Sequence, residues 1–197
     1  MLNRVSAESA LLFQYGSNML AGRLREKIQE HQRFVPAGVS LEVRLLGPAR
    51  LPSWRFRFGL YSARQECLVG DIIEGQDTDE VWGALYELDR ELVFRSDGKR
   101  SVLDRIEGHR TDRDPENYHP ANVTVDFSGA ARNAHTYVGR EDARRRCALD
   151  HANAAPRSEY LSAILVGARS VGLPAEYVRT LEAIVESPAQ EVGSAPR

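Results

Sequence analysis

Two short stretches hold residue types whose spacing suits chemistry. The first is Tyr15-Gly16-Ser17-Asn18, which follows the apolar run Leu11-Leu12-Phe13 and precedes residues 19–29, where Met19, Leu20, Leu24 and Ile28 recur at helical spacing. The order predicts a strand, a tight turn and a helix start. Gly16 can take backbone angles closed to other residues, and Ser17 and Asn18 are side chains that satisfy free amides where a helix begins. Unpaired N–H groups and the positive end of a helix dipole attract anions. The loop has neither the lysine of a phosphate-binding P-loop nor the glycines of a dinucleotide fingerprint, so a carboxylate suits it better than a phosphate. A Ser-Asn pair also serves as a plain helix cap, and both readings stand.

The second stretch is 99–108. Val102, Leu103 and Ile106 make an apolar helical face, Gly108 suits a C-cap, and Asp104 and Glu107 fall one turn apart near that end. An acid at a helix C-terminus opposes the dipole, so Glu107 sits where an ordinary surface acid is slightly unfavourable. A functional carboxylate and a solvated one both fit.

The chain that must position these residues has 197 of them and a net charge of −2, with a pI near 6.2. That length suits one domain, and that charge offers no general attraction to nucleic acid or to an anionic membrane. Cys67 and Cys147 are far apart and lack metal-ligand spacing, which argues against a disulfide scaffold or a zinc site. The five histidines, His31, His109, His119, His135 and His151, likewise show no ligand spacing and read as surface or loop residues. No apolar stretch is long enough to span a bilayer and no charged-then-apolar leader follows Met1, so the expected compartment is the cytoplasm.

In chain order, residues 1–8 read as a loose lead-in and 10–15 as a strand. Pro36-Ala37-Gly38 breaks the first helix, and 39–45 alternates as a half-buried strand does. Residues 54–59 alternate again, with Trp54, Phe56 and Phe58 expected to face the core and Arg55 and Arg57 the solvent. Further strands are expected at 67–73 and 80–88, the latter interrupted by Gly83, which marks a bulge, a bend or a close backbone approach. Residues 111–120 form a loop that delivers Tyr118, and 122–127 with 134–138 make a hairpin around Ser128-Gly129. The mixed charges of 140–146 read as a solvated segment. Tyr160, Leu161, Ile164, Leu165, Ala168 and Val171 trace a helix ended by Gly172-Leu173-Pro174, a second helix runs through Leu181 and Val185, and 188–197 is an expected flexible tail.

Taken together these stretches resemble the gamma-glutamylcyclotransferase-like family, from about residue 10 to residue 185. The likeness rests on Tyr15-Gly16-Ser17-Asn18, Val81-Trp82-Gly83-Ala84-Leu85-Tyr86 and Leu103-Asp104-Arg105-Ile106-Glu107-Gly108, in that order. It continues through Tyr118, the strand 123–127, Thr136-Tyr137-Val138, Pro156 with Ser158 and Tyr160, and Gly167-Ala168 up to Gly172-Leu173-Pro174-Ala175-Glu176-Tyr177.

The resemblance implies a single α+β domain over residues 9–187, a small mixed β-barrel with flanking helices. It implies a small-molecule γ-glutamyl substrate whose free α-amine attacks its own γ-carbonyl, giving 5-oxoproline and a released amine or amino acid. Glu107 takes the family's catalytic position, and Tyr15, Gly16, Ser17 and Asn18 its substrate-binding loop. Tyr118 and Tyr137 match tyrosines that line its pocket, placed to bond the substrate or Glu107. The chemistry calls for no metal and no cofactor, and the protein is expected as a monomer or homodimer. Two alternatives remain: removal of a γ-glutamyl group from a biosynthetic intermediate by the same residues, and a non-catalytic carboxylate-binding or interaction domain of this fold.

Overall fold

The apolar run before the loop is strand β1 (Ser9–Gln14), and in it Leu12 and Phe13 are fully buried. The computed structural model describes residues 9–95, 97–108 and 117–186. The expected flexible termini, His109 and the first part of the 111–120 loop lie outside the described residues.

Five strands close into a barrel in the order β1, β5 (Glu80–Asp89), β2 (Val43–Pro52), β6 (Tyr118–Phe127), β7 (Ala130–Gly139). β1 and β5 pair antiparallel from Ser9↔Asp89 to Gln14↔Ala84, and β1 meets β7 in parallel at Leu12↔His135, so the barrel is mixed as expected. Strands β3 (Trp54–Ser62) and β4 (Cys67–Glu74) form a separate antiparallel hairpin. The helices are α1 (Ala21–Glu30), α2 (Arg90–Val93), α3 (Val102–Ile106), α4 (Glu141–Asp150), α5 (Ser158–Val171) and α6 (Ala175–Glu186). The architecture is α+β, a closed barrel with flanking helices. Among the described residues no helix is long and apolar enough to cross a membrane.

Closing the barrel buries the apolar face of each strand. Leu51, Leu85, Tyr86, Leu88 and Val125 are all at 1% exposure or less, and each large side chain so buried stabilises the fold by roughly 1.5–3 kcal/mol. Gly83 is explained by a close approach. A Cβ there would lie 2.4 Å from the Gln14 carbonyl oxygen and 2.8 Å from the Phe13 ring. Its absence lets β5 lie against the end of β1, where the chain turns into the Tyr15–Asn18 loop.

Several expectations need correction, among them the 111–120 loop, whose residues 118–120 already belong to strand β6. The strand expected at 39–45 begins at Val43 and runs to Pro52, because a bulge between Leu45 and Gly47 breaks the alternation and admits Pro48 into the strand. Residues 140–146 lead into α4 and keep Glu141 and Arg145 in solvent as expected, but Arg144 reaches inward to Asp71 with Nε 2.7 Å from Oδ2. The solvent expected for Arg57 is also only partial, since its Nε lies 3.8 Å from the same carboxylate. His135 is buried, its ring edge-on to both Phe94 and Tyr137.

Candidate active site

At the end of β1 the chain turns through Tyr15 and Gly16 into a single 3-10 turn, Ser17–Met19, and only then enters α1 at Ala21. This differs from the expected direct step into a helix. Neither Ser17 nor Asn18 caps a helix through its side chain; Leu20 is the N-cap of α1. The loop therefore presents its own backbone amides rather than the pole of α1, and the Asn18 side chain is released for other work. Tyr86 donates its hydroxyl hydrogen to the Met19 carbonyl, and α5 lies close enough that a Cβ on Gly167 would stand 3.0 Å from the Met19 Cβ. The turn is thus held from the barrel side and from the helix side.

Glu107 is positioned by a short helix with defined ends. The hydroxyl of Ser101 accepts from the Asp104 amide at 3.0 Å while the Asp104 carboxylate accepts from the Ser101 amide at 2.8 Å, a complete capping box. Asp104 therefore belongs to the N-terminal turn of α3, not to its C-terminal end. Glu107 is the C-cap, and Gly108 follows with φ +75°, the left-handed conformation that stops a helix.

The two pieces meet. Asn18 Nδ2 donates to Glu107 Oε1 at 2.7 Å, Gln14 Nε2 donates to the same oxygen at 3.4 Å, and Lys27 Nζ donates to Asn18 Oδ1 at 2.7 Å. The orientation of the Asn18 amide is dictated by its partners, since an ammonium only donates and a carboxylate only accepts. Burial lowers the pKa of Lys27, and nearby Arg23 and Arg64 push the same way, while the Glu107 carboxylate opposes them.

These groups line a cavity of about 620 Å³. Tyr15, Gly16, Ser17, Asn18, Glu107, Tyr118 and Tyr137 all face it. The tyrosine hydroxyls, however, are spent on protein acceptors. Tyr15 donates to the Tyr137 carbonyl at 2.6 Å, Tyr137 to Asp104 Oδ1 at 2.9 Å, and Tyr118 to the Gly70 carbonyl at 2.6 Å. Neither Tyr118 nor Tyr137 bonds Glu107, contrary to one of the roles expected of them; each can still accept a hydrogen bond. Burial raises the pKa of all three hydroxyls, so they stay protonated and act as fixed dipoles.

Several lining residues were not singled out in the sequence. Tyr160 accepts from the Gly70 amide at 2.9 Å and stands 3.6 Å from where a Cβ of Gly16 would be. Gln14, Arg23, Lys27, Arg64 and the stacked pair Tyr61 and His151 also line the cavity, the two rings 3.6 Å apart and 9° from parallel. Only Tyr160 carried a signal, as part of the family-like stretch after Pro156. Among the described residues no three His, Cys, Asp or Glu side chains converge to hold a metal ion.

Known proteins resemble this chain in sequence and in fold. The AIG2-like family matches residues 80–181. A gamma-glutamylcyclotransferase of Bos taurus is 30% identical over 187 residues, covering 93% of this chain and 82% of that protein. Its counterpart from Mus musculus is 29% identical over 181 residues, covering 90% and 79%. The solved structure of a gamma-glutamyl cyclotransferase superposes with a TM-score of 0.64 at 24% identity, covering 89% of this chain and 88% of that one, a likeness of fold.

Proposed function

The chain belongs to the AIG2-like family and is an enzyme of the gamma-glutamylcyclotransferase type, and from that premise we propose that it releases 5-oxoproline from a small γ-glutamyl compound, with Glu107 as general acid and base. The observation that carries the proposal is the 2.7 Å bond from Asn18 to Glu107, which joins a carboxylate-holding loop to an acid 89 residues further along the chain.

In this reading the amides of Gly16, Ser17 and Asn18 hold the α-carboxylate of the substrate, and the tyrosine wall shapes the space around its carbon chain. Glu107 takes a proton from the α-ammonium, and the freed amine attacks the γ-carbonyl. As the C–N bond to the leaving group breaks, the protons lost by the attacking nitrogen pass through Glu107 to the departing one. The five-membered lactam forms without water. Nucleophile and electrophile belong to one molecule, so no second reactant has to be brought in and the site has only to hold the substrate folded in a near-attack geometry. Proton transfer by a positioned carboxylate contributes a further factor of about 10²–10⁴.

Incubation with γ-glutamyl-alanine in ¹⁸O-labelled water tests the proposal. Cyclisation gives unlabelled 5-oxoproline by mass spectrometry. Labelled glutamate as the first product would mean hydrolysis, and no turnover of any γ-glutamyl compound would leave a carboxylate-binding domain.

A further inference from the structure

The cavity holds more positive charge than the reaction above uses. Arg23, Lys27, Arg64, Arg105 and Arg146 line it, against the carboxylates of Glu107 and Asp150. Two of the five are engaged by side chains outside the cavity wall: the Arg105 guanidinium lies 3.9 Å over the Phe34 ring, and Arg146 Nη1 is 2.9 Å from Asp142 Oδ2. The other three gather at one place. Arg23 and Lys27 are one turn apart on α1, Arg64 comes from the tip between β3 and β4, and the charges of Arg23 and Arg64 both bear on Lys27.

Like charges at i and i+4 oppose helix formation, and a third cation brought over them adds to the repulsion. Only Lys27 has a compensating neighbour, since its hydrogen bond runs through Asn18 to Glu107. Arg23 and Arg64 have no ion-pair partner among the described residues, and the Arg23 Nε is buried with no acceptor. Buried donors in folded proteins are satisfied by protein, ordered water or a ligand, so this nitrogen has a bond to give.

Resting on the cyclotransferase reading, we propose that Arg23, Lys27 and Arg64 form a second anion subsite that selects γ-glutamyl conjugates of acidic amino acids or acidic peptides. Its Lys27 lies one side chain beyond Glu107, on the far side of Asn18 from it, and the subsite is assigned to the departing half of the substrate. The α-carboxylate of the γ-glutamyl half has its own site at the loop amides. A neutral amino acid as leaving group brings one carboxylate to the two uncompensated guanidiniums; an acidic one brings two. Planar guanidiniums suit carboxylates in paired geometry, which makes the arginines the specificity-determining residues.

The test compares γ-glutamyl-glutamate, γ-glutamyl-alanine and γ-glutamyl-lysine, with 5-oxoproline measured for the unmodified protein, Arg23→Gln and Arg64→Glu. The expected kcat/KM ranking is glutamate over alanine over lysine, with about tenfold between the first two, carried in KM and shrinking as salt is raised. Arg23→Gln should narrow that ratio, and Arg64→Glu should turn the preference toward γ-glutamyl-lysine. A glutamate-to-alanine ratio near one in the unmodified protein overturns the proposal. Variants that weaken all three substrates equally also overturn it, because they would assign the cations to the α-carboxylate that the substrates share. If no substrate is turned over, the cyclotransferase reading fails separately, and calorimetry decides the subsite: tighter binding of γ-glutamyl-glutamate than of γ-glutamyl-alanine, abolished by Arg64→Glu, supports it, and equal binding refutes it.

Discussion

Glu107 and Asp71 approach the same tyrosines from two regions of the molecule, the end of α3 and the junction of β4 with β7 and α4. Burial raises the hydroxyl pKa of Tyr15 and Tyr118, and both carboxylates add to that effect. Their own surroundings differ. Glu107 lines the cavity, and its recorded partners are the neutral amides of Asn18 and Gln14. Asp71 is fully buried and is held by the Gly139 amide at 2.8 Å, by Arg144 through both oxygens, and by Arg57 at 3.8 Å. Glu107 faces the cavity with only neutral donors beside it, whereas Asp71 is occupied on both oxygens by a backbone amide and by two half-buried guanidiniums. The comparison separates an acid suited to chemistry from an acid that fastens three elements together.

The sharpest way to break that comparison is Glu107→Gln, which keeps the shape and the hydrogen-bonding oxygen but cannot carry the proton. Turnover is expected to fall by about 10²–10⁴-fold with circular dichroism and melting unchanged. A loss below tenfold would remove Glu107 from the reaction.

Asp71→Ala should act on the other axis. Removing one partner of a buried ion pair destabilises by about 3–5 kcal/mol, and the side chain of Arg144 is 20% exposed, which places the expectation toward the lower end. Urea denaturation measures it. Full stability with activity lost as in Glu107→Gln would make Asp71 the chemical group and invert the assignment.

Asn18→Ala tests the link between loop and acid. It removes a hydrogen bond to a charged group and separates Lys27 from Glu107, so a loss of about 10–100-fold in kcat is expected. An effect confined to KM would confine Asn18 to substrate binding. The smallest effect belongs to Asp104→Asn, whose one carbonyl oxygen can still accept from the Ser101 amide while its NH2 donates to the Tyr137 hydroxyl, which then accepts instead of donating. Activity should change less than about threefold and stability by no more than about 1 kcal/mol. An activity loss matching that of Glu107→Gln would shift the catalytic acid by one turn.

Much of the strand pattern is legible because alternation is a local property: β4 and β5 fall where the period-two runs put them, and the β6–β7 hairpin turns at Ser128-Gly129 as expected, although both of its strands begin four residues earlier than expected. β2 is not, since the Gly47 bulge resets its alternation against a partner strand that only the closed barrel supplies. The helix stop at Gly172 is similarly local: its left-handed φ of +78° and the bond from the Leu173 amide to the Ala168 carbonyl need nothing beyond the chain nearby. His135 reads as a surface residue until Phe94 and Tyr137 close around it.

For the site, the types and order of Tyr15, Gly16, Ser17, Asn18 and Glu107 stand in the sequence, and Gly108 already says that a helix ends beside the acid. What the chain written out in one dimension leaves open is which side chain each meets. The Asn18 amide is drawn as readily capping a helix as bonding Glu107, and the turn at Ser17–Met19 decides between them by delaying α1 until Ala21. Arg144 looks solvated until α4 lays it on Asp71, and Arg64, exposed at the β3–β4 tip, is brought by that hairpin to the wall of the cavity that Arg23 and Lys27 also line. Local period and turn chemistry act over a few residues and are written in order, whereas the burial, charge and hydrogen bonding of these groups depend on partners tens of residues away, which only the closed barrel brings within reach.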